Sequence, residues 1–381
     1  MSSNLQAVDR TRLTTWLRLV SYFILVILAF ELIVAYRFAL RPGQPAANID
    51  AITRYFEYGR SVEGKLVRMV APTDEATQPI ARAGWVSPLP PPEPPLESGE
   101  VRVAIYGMSF AKHIAQELSA IDPTFVCEMF GGPGAPANLT FAAFQADRRR
   151  THARVVVWAV LASSVRRMGS LSIQTAGFEQ PVPMTFPRFD VVEGRLTRID
   201  PVISSLAELR AALAAGSFDD PVWIQWRQQL EEHDDMYDAL LFRHNVFDGL
   251  ATVRLMRRAW WGRHISRFTT TVYDPVDGFG GLPARTLPVL AEHFLEQAQQ
   301  DGRIPVVMLI HDQGFGTHLF RLMRPILDRK RIPYLSTHET VPPDNPHLFL
   351  SDGHIAQESN HEVAVAFRSL LLQELRRGHH R

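Results

Sequence analysis

The longest apolar run of the chain, residues 19–36, lies near the N-terminus between Arg18 and Arg37 and holds one charged residue, Glu31. As an α-helix these residues span about 27 Å at ~1.5 Å per residue, which approaches the ~30 Å hydrocarbon core of a bilayer. The pattern therefore predicts a single transmembrane helix. A cleaved signal peptide is the competing interpretation, but its apolar region is normally shorter.

Arginines at both ends of this run give little positive-inside bias. A short tail before a single span favours a cytoplasmic tail, residues 1–18, and a large domain on the periplasmic or other extracytoplasmic side. Glu31 lies about 9 Å from the Arg37 end at ~1.5 Å per residue, where an unpaired charge is costly. Two hypotheses account for it: a protonated or snorkelling carboxyl, or contact with the transmembrane helix of a partner membrane protein.

Residues 37–98 form the predicted connection between the span and a larger domain. Residues 48–70 have the spacing of an amphipathic juxtamembrane helix interrupted at Gly59. Residues 87–99 have the sequence SPLPPPEPPLESG, and proline cannot donate a backbone hydrogen bond. This composition predicts a stiff polyproline spacer that holds the domain away from the bilayer, with a ligand for an SH3-type partner as the alternative.

From residue 101 onward, short apolar segments typical of strands alternate with segments of helical spacing. The apolar segments are 101–106, 124–130, 153–162, 304–310 and 333–336, and the helical segments are 110–120, 139–150, 316–329 and 359–377. Continuous apolar strands separated by helices are typical of a parallel sheet covered on both faces. We therefore predict that residues 99–381 form an α/β domain with a flavodoxin-like, doubly wound parallel sheet.

A long segment, at about 165–300, does not follow this alternation. Within it, residues 189–199 predict a hairpin that turns at Glu193-Gly194, and the remainder is mainly helical. We interpret the segment as an insertion packed over one end of the sheet and not as a second domain. Its tryptophans are predicted to be core residues, with carbohydrate stacking as the alternative; they are Trp223, Trp226, Trp260 and Trp261.

Composition excludes several classes of function. The 40 Lys+Arg balance the 40 Asp+Glu, whereas a nucleic-acid-binding protein needs a surplus of cationic groups to neutralise phosphates. The lone cysteine, Cys127, excludes an intrachain disulfide and a Cys-based zinc site. Asp352, His354 and His361 match no zinc spacing. We therefore predict no nucleic-acid partner, no metal and no cofactor.

Candidate chemistry occurs at two places in the predicted sheet domain. Ser109 follows the first strand and opens a helix, where ligands of open parallel sheets bind and where the helix dipole is positive. Asp352 and His354 share one loop before the last helix, which suits a general base and its orienting carboxylate. Taken singly, each has an ordinary explanation, as an N-cap serine and as polar loop residues.

Taken together, YGMSF at 106–110 and DGHIAQESNHEVA at 352–364 resemble the SGNH (GDSL-like) hydrolase superfamily. In that family the nucleophile follows the first strand, and an Asp-x-x-His or Asp-x-His pair precedes the last helix. The resemblance implies that Ser109 is the nucleophile, His354 the general base and Asp352 the acid that orients it. It also implies that the oxyanion-binding glycine lies in the turn after the second strand, at Gly132 or Gly134.

Two departures from the family pattern concern this site. Met108 replaces the acidic residue that usually precedes the serine, and residues 158–165 lack the family's asparagine. That asparagine donates a hydrogen bond to the oxyanion, and loss of one such donor costs roughly 10²–10³ in rate. Asn138, or the hydroxyl of Ser163 or Ser164, is the candidate replacement.

Two further histidines are candidates for the same cleft. His311 and Asp312 end the fourth predicted strand of the sheet, so His311 is a rival base or a substrate contact. His113 lies one helical turn after Ser109, where it either lines the cleft or is an ordinary core or surface histidine.

The resemblance implies a membrane-anchored serine esterase or O-acyltransferase. Its substrate would be an ester, such as an acetyl ester, of a carbohydrate at the cell surface or in an exported polysaccharide. The alternative is a catalytically silent binding or assembly component of a polysaccharide modification or export complex, which Met108, the missing asparagine and Glu31 favour. An esterase that acts on lipids is a third hypothesis.

Overall fold

A computed structural model describes residues 2–38, 50–70, 77, 79–86, 95–179, 182–214 and 218–379 of the chain. Packing divides the chain into two units, Met1–Arg68 with Ala239–Arg263, and Met69–Asp238 with His264–Arg381. The first unit contains the apolar helix, and the second contains the central sheet. Most of the predicted polyproline spacer, residues 87–94, lies outside the described residues.

The helices and strands are numbered in chain order. The α-helices are α1 (Ser2–Arg37), α2 (Ala51–Tyr58), α3 (Val62–Met69), α4 (Pro79–Arg82), α5 (Ser109–Ile121), α6 (Ala137–Ala146), α7 (Ile173–Ala176), α8 (Leu206–Leu213), α9 (Pro221–His233), α10 (Ala239–Phe242), α11 (Ala251–Val272), α12 (Gly281–Gln300), α13 (His318–Lys330) and α14 (Gln357–His379). The strands are β1 (Val101–Tyr106), β2 (Phe125–Phe130), β3 (Val155–Leu161), β4 (Arg188–Val192), β5 (Arg195–Ile199), β6 (Tyr273–Asp274), β7 (Gly278–Phe279), β8 (Ile304–Ile310) and β9 (Tyr334–Ser336).

Within the described residues, five strands form one sheet in which every neighbouring pair is parallel. Their order across the sheet is β2-β1-β3-β8-β9. Counted among themselves, these strands have the 2-1-3-4-5 order of a doubly wound sheet. The winding direction reverses between β1 and β3, and ligands of such sheets bind beyond the carboxyl ends of the strands beside that reversal.

Helices cover both faces of the sheet. On one face, α6, α12 and α13 pack against strand side chains that include Tyr106, Trp158 and Leu309. On the other face, α5 packs on β2, and α14 packs on α5, β8 and β9. All of β3 is buried, as expected for a central strand covered on both sides. The predicted α/β class is therefore confirmed.

The strand boundaries follow the apolar pattern closely. Segments 101–106 and 304–310 coincide with β1 and β8, and the other predicted strands differ from β2, β3 and β9 by one or two residues at an end. The helix predicted at 139–150 is instead α6, which ends at Ala146. It ends there because the Asp147 side chain accepts a hydrogen bond from the backbone N–H of Arg149 and begins a 3-10 turn.

The predicted hairpin at 189–199 is also present, as β4 and β5. Glu193 and Gly194 both have positive φ angles, 50° and 76°, which is typical of the two-residue turn that suits the twist of a hairpin. Trp223 and Trp226 of α9 are fully buried. These two tryptophans are therefore core residues and do not offer a face for carbohydrate stacking.

The insertion at about 165–300 contributes to both units of the structure. Residues Ala239–Arg263 belong to the first unit, and the rest of the insertion belongs to the sheet unit. The insertion is therefore divided between the two units, a division that its sequence pattern does not predict. Residues 79–86 belong to the predicted connection between the span and the larger domain. In the structure, however, Ala81 and Trp85 of this segment are buried in the unit that contains the sheet.

The first unit begins with α1, in which Leu13–Arg37 is long and apolar enough to cross a bilayer. The predicted juxtamembrane helix is α2 followed by α3, with the expected interruption at Gly59. A Cβ at Gly59 would lie 2.8 Å from the carbonyl oxygen of Arg254. The two helices therefore meet α11 too closely for a side chain at this position.

Candidate functional site

Ser109 is placed by the exit from β1, the strand beside the reversal of the sheet. The backbone N–H of Gly107 donates to the carbonyl of Phe130, which keeps the ends of β1 and β2 together (2.8 Å). Gly131 then takes a φ of 134°, and a Cβ there would lie 1.9 Å from the carbonyl oxygen of Gly107. Only glycine fits this close approach. Gly107 and Met108 connect β1 to α5 beside this contact, and Ser109 is the first residue of α5.

Ser109 does not cap its own helix. Met108 is the N-cap residue, in extended conformation, and makes no side-chain capping bond. The Ser109 hydroxyl instead lies 2.8 Å from Nε2 of His354. The ordinary explanation of Ser109 as an N-cap serine therefore does not describe this structure.

His354 lies on the loop between β9 and α14. An isolated bridge between Phe349 and Ile355 closes this loop, and the backbone N–H of Leu350 donates to the carbonyl of His354 (2.7 Å). Gly353, with a φ of 87°, makes the turn between them. Because α14 packs against α5, the loop is held beside the first turn of the helix that carries the serine.

The third side chain of the arrangement is Asp352. Its Oδ2 lies 3.1 Å from Nδ1 of His354, and its Oδ1 accepts the backbone N–H of His354 at 3.1 Å. A proton on Nδ1, directed at Asp352, leaves Nε2 free to accept the Ser109 hydroxyl proton. The structure thus brings together the three side chains that the sequence singled out, in the order serine, histidine, aspartate.

Asp352 is exposed over 64% of its side chain, whereas 24% of the His354 side chain is exposed. Its hydrogen bond from the His354 backbone lowers the pKa of the Asp352 carboxyl below its ordinary value. The carboxyl is therefore ionised at neutral pH, although solvent weakens its interaction with the imidazole.

Two α5 side chains complete the surroundings of His354. The ring of Phe110 stacks on the imidazole, with 4.5 Å between centroids, and the His113 ring lies 5.2 Å away. Burial, and then the neighbouring His354, lower the pKa of His113. His113 is therefore a half-buried neighbour of His354. Phe110 follows the serine directly, yet no spacing rule in the sequence distinguishes it from a core residue.

The first turn of α5 also supplies hydrogen-bond donors. In any α-helix the N–H groups of the first residues have no carbonyl partner within the helix, and the dipole there is positive. In α5 the intrahelical bonds begin with Lys112 N to Met108 O. The backbone N–H groups of Ser109 and Phe110 lie before this point, where an oxyanion formed at the serine needs donors.

The predicted oxyanion residues after β2 are placed less favourably. Gly132 is packed under the 79–86 segment, so that a Cβ there would lie 2.4 Å from Cα of Gly84. The carbonyl of Gly134 accepts a hydrogen bond from Arg167 (3.0 Å). Asn138 is fully buried, and its Nδ2 donates to the carbonyl of Pro187 at 2.8 Å. The Asn138 amide therefore has a structural partner and is not presented to Ser109.

The two serine hydroxyls after β3, the alternative oxyanion donors, also make hydrogen bonds within the protein. Ser164 donates to the carbonyl of Leu161 (2.8 Å). The backbone N–H of Ser163 donates to Oδ1 of Asp312 at 3.0 Å, and the Ser163 hydroxyl bonds to the same carboxyl. These contacts join the ends of β3 and β8. They leave backbone N–H groups as the oxyanion donors that the described residues offer.

His311 is not presented as a rival base. It is fully buried, and its Nε2 accepts the backbone N–H of Phe320 (3.3 Å). Burial, together with His338 at 5.0 Å between ring centroids, lowers the pKa of His311 to about 3. A neutral, enclosed imidazole of this kind does not exchange protons with a substrate near neutral pH.

The described residues contain no group of three or more His, Cys, Asp or Glu side chains placed to hold a metal ion.

In comparisons with known proteins, no family model, no curated protein and no solved structure matches the chain. The functional interpretation therefore depends on the geometry at Ser109.

Proposed function

We propose that the protein is a membrane-anchored serine ester hydrolase or O-acyltransferase of SGNH type. One observation carries the proposal, the 2.8 Å separation between Ser109 Oγ and His354 Nε2 with Asp352 on the opposite ring nitrogen. A hydroxyl, an imidazole and a carboxylate in this sequence can activate the hydroxyl as a nucleophile.

In the first half-reaction, Ser109 Oγ attacks the carbonyl carbon of the ester, and His354 Nε2 takes the hydroxyl proton. Backbone N–H groups in the first turn of α5 donate to the oxyanion that forms. The tetrahedral intermediate then collapses, the ester C–O bond breaks, and the leaving alcohol takes the proton from His354. The product is an acyl ester on Ser109.

In the second half-reaction, an acceptor hydroxyl attacks the carbonyl carbon of this acyl-serine while His354 removes its proton. The bond between the acyl carbon and Ser109 Oγ then breaks, and Ser109 Oγ takes the proton from His354. Water as the acceptor gives hydrolysis, and a sugar hydroxyl gives transfer. As substrate we infer an acylated carbohydrate polymer outside the cytoplasm, with residues 1–18, which precede the apolar run, on the cytoplasmic side. The resemblance in the serine and histidine segments and the apolar length of α1 support this inference.

Turnover of para-nitrophenyl acetate by the full chain in detergent micelles tests the proposal. Ser109→Ala removes the attacking oxygen, so we expect kcat/KM to fall by about 10³-fold or more. The matched control is Ser369→Ala, since Ser369 is exposed on α14 and donates only to the carbonyl of Val365 (3.0 Å). This control keeps full activity.

A catalytically silent assembly component is the second candidate. It is favoured by one observation, that the side chains of Asn138, Ser163 and Ser164 are committed to structural hydrogen bonds. Equal background turnover in the wild-type protein and in Ser109→Ala, with both proteins folded, would support this candidate and contradict the enzyme.

A further inference from the structure

Glu31 of α1 has its partners within the first unit. Its carboxylate accepts the backbone N–H groups of Ala251 (2.6 Å) and Thr252 (2.9 Å) and the Thr252 hydroxyl (2.5 Å). These residues open α11, so Glu31 satisfies donors that the helix cannot bond itself and places a negative charge at the positive end of its dipole. The carboxylate thus needs neither a snorkelling path nor a partner's helix.

Apolar contacts fix the same junction. Phe30 and Val34 of α1 and Phe38, the residue that follows this helix, pack with Phe56 of α2 and Ala251 of α11. The Phe56 ring lies 6.1 Å from the Phe30 ring and 6.3 Å from the Phe38 ring. The first turn of α11 is therefore held against the last turns of the apolar helix.

Buried ion pairs also hold this junction together. Asp248, 1% exposed, accepts the backbone N–H of Ser61 (2.8 Å) and pairs with Arg257. Glu57 of α2 pairs with Arg254 of α11 at 3.2 Å. The segment that precedes and begins α11 is consequently tied to α2 and α3 as well as to α1.

Large apolar side chains on this segment are nevertheless exposed. Val246 is 87% exposed, Phe247 57%, Leu250 40% and Met256 71%. Moving such side chains from water into an apolar environment is favourable in proportion to the apolar area that leaves water. The four residues lie within five positions of Ala251 or Thr252, the residues that Glu31 binds, and thus beside α1.

We propose that residues 246–256 form a second membrane-contact site, in which the side chains of Val246, Phe247, Leu250 and Met256 enter the lipid bilayer beside α1. The occupant is lipid because Glu31 lies six residues before Arg37, about 9 Å at ~1.5 Å per residue. Interfacial elements commonly bury their apolar side chains ~5–10 Å into the headgroup and acyl boundary.

The proposal rests on α1 crossing the bilayer and is independent of the chemistry at Ser109. Its test uses the full chain with Cys127→Ser, reconstituted in phosphatidylcholine vesicles. Single cysteines replace three exposed valines, Val26 on α1, Val246, and Val276 between β6 and β7, with exposures of 66%, 87% and 77%. Each carries the same NBD fluorophore, and quenching is measured with doxyl-labelled phosphatidylcholine and with aqueous iodide.

We expect doxyl lipid to quench the fluorophore at positions 26 and 246, and iodide to quench it at position 276 only. Iodide quenching at 246 equal to that at 276 would overturn the proposal, because the segment would then lie in water. Protection at 246 from both quenchers would overturn it in favour of a protein partner. Absence of doxyl quenching at position 26 would remove α1 from the bilayer and the proposal with it.

Discussion

His311 directly follows β8, and His354 lies on the loop between β9 and α14; their surroundings give them different chemistry. His354 is partly exposed, with a hydroxyl on one ring nitrogen and a carboxylate on the other. His311 is enclosed, and its Nε2 accepts a backbone N–H. Residue type alone makes the two equivalent candidates, whereas burial and hydrogen bonding reserve proton transfer for His354.

The enclosure of His311 predicts acid sensitivity. Its pKa of about 3 in the folded chain lies below the ordinary value of 6.5. As pH falls below 6.5 the unfolded chain therefore binds a proton that the folded chain does not, and the free energy of unfolding decreases. Between pH 7 and pH 5 this loss is about 2 kcal/mol.

Urea unfolding in detergent, followed by tryptophan fluorescence at several pH values, measures this effect. We expect His311→Gln to be less stable at pH 7 but to lose less stability than the wild-type protein on acidification to pH 5. Equal losses in the two proteins would show that His311 is not the source of the acid sensitivity.

At the scale of the elements, the contact between α5 and α14 determines the candidate site. Ser109 begins α5, and the loop that carries His354 leads into α14. Because these two helices pack on the same face of the sheet, residues separated by 245 positions come within hydrogen-bond distance. Gly107 and Gly131 contribute through close packing, because a Cβ at Gly131 would lie 1.9 Å from the carbonyl oxygen of Gly107.

A second contact between elements, that of α11 with α2 and α3, depends on Asp248. Asp248→Asn removes the counter-ion of Arg257, which is 1% exposed, and loss of one partner of a buried pair typically costs 3–5 kcal/mol. We therefore expect amide hydrogen exchange at the start of α11 to accelerate by about 10²- to 10³-fold in the folded protein.

The matched control is Asp200→Asn. Asp200 pairs with Arg198 at 2.7 Å, but 62% of its side chain is exposed, so its loss costs roughly 1 kcal/mol or less. Hydrogen exchange read by mass spectrometry compares the two variants in the same detergent. Unchanged exchange in α11 of Asp248→Asn would contradict a structural role for the buried pair.

At the scale of the whole molecule, the sequence is informative where its pattern is local. Continuous apolar segments predict the strands of the sheet, and the order of Ser109, Asp352 and His354 relative to those strands places them at one edge. The grouping of residues 239–263 with the first unit depends instead on contacts between distant parts of the chain. Ala251 meets Glu31 across 220 positions, and no periodicity in either segment signals a pairing at that distance.

The site shows the same division. The order of residues along the chain and the predicted strand ends are enough to identify Ser109, His354 and Asp352 as candidates. The partners of Asn138, Ser163 and His311 depend on carbonyl and carboxyl groups from distant segments, such as Pro187 O and Asp312. Only the folded chain shows that these side chains are committed elsewhere.

The central claim is that His354 makes Ser109 a nucleophile, and covalent labelling tests it most directly. A fluorophosphonate, whose phosphorus accepts a nucleophilic serine oxygen with loss of fluoride, is incubated with the full chain, and the adduct is located by peptide mass spectrometry. The account predicts one adduct, on Ser109, that disappears in Ser109→Ala and is strongly reduced in His354→Ala. An unlabelled Ser109 in the folded wild-type protein, or equal labelling after His354→Ala, would contradict it.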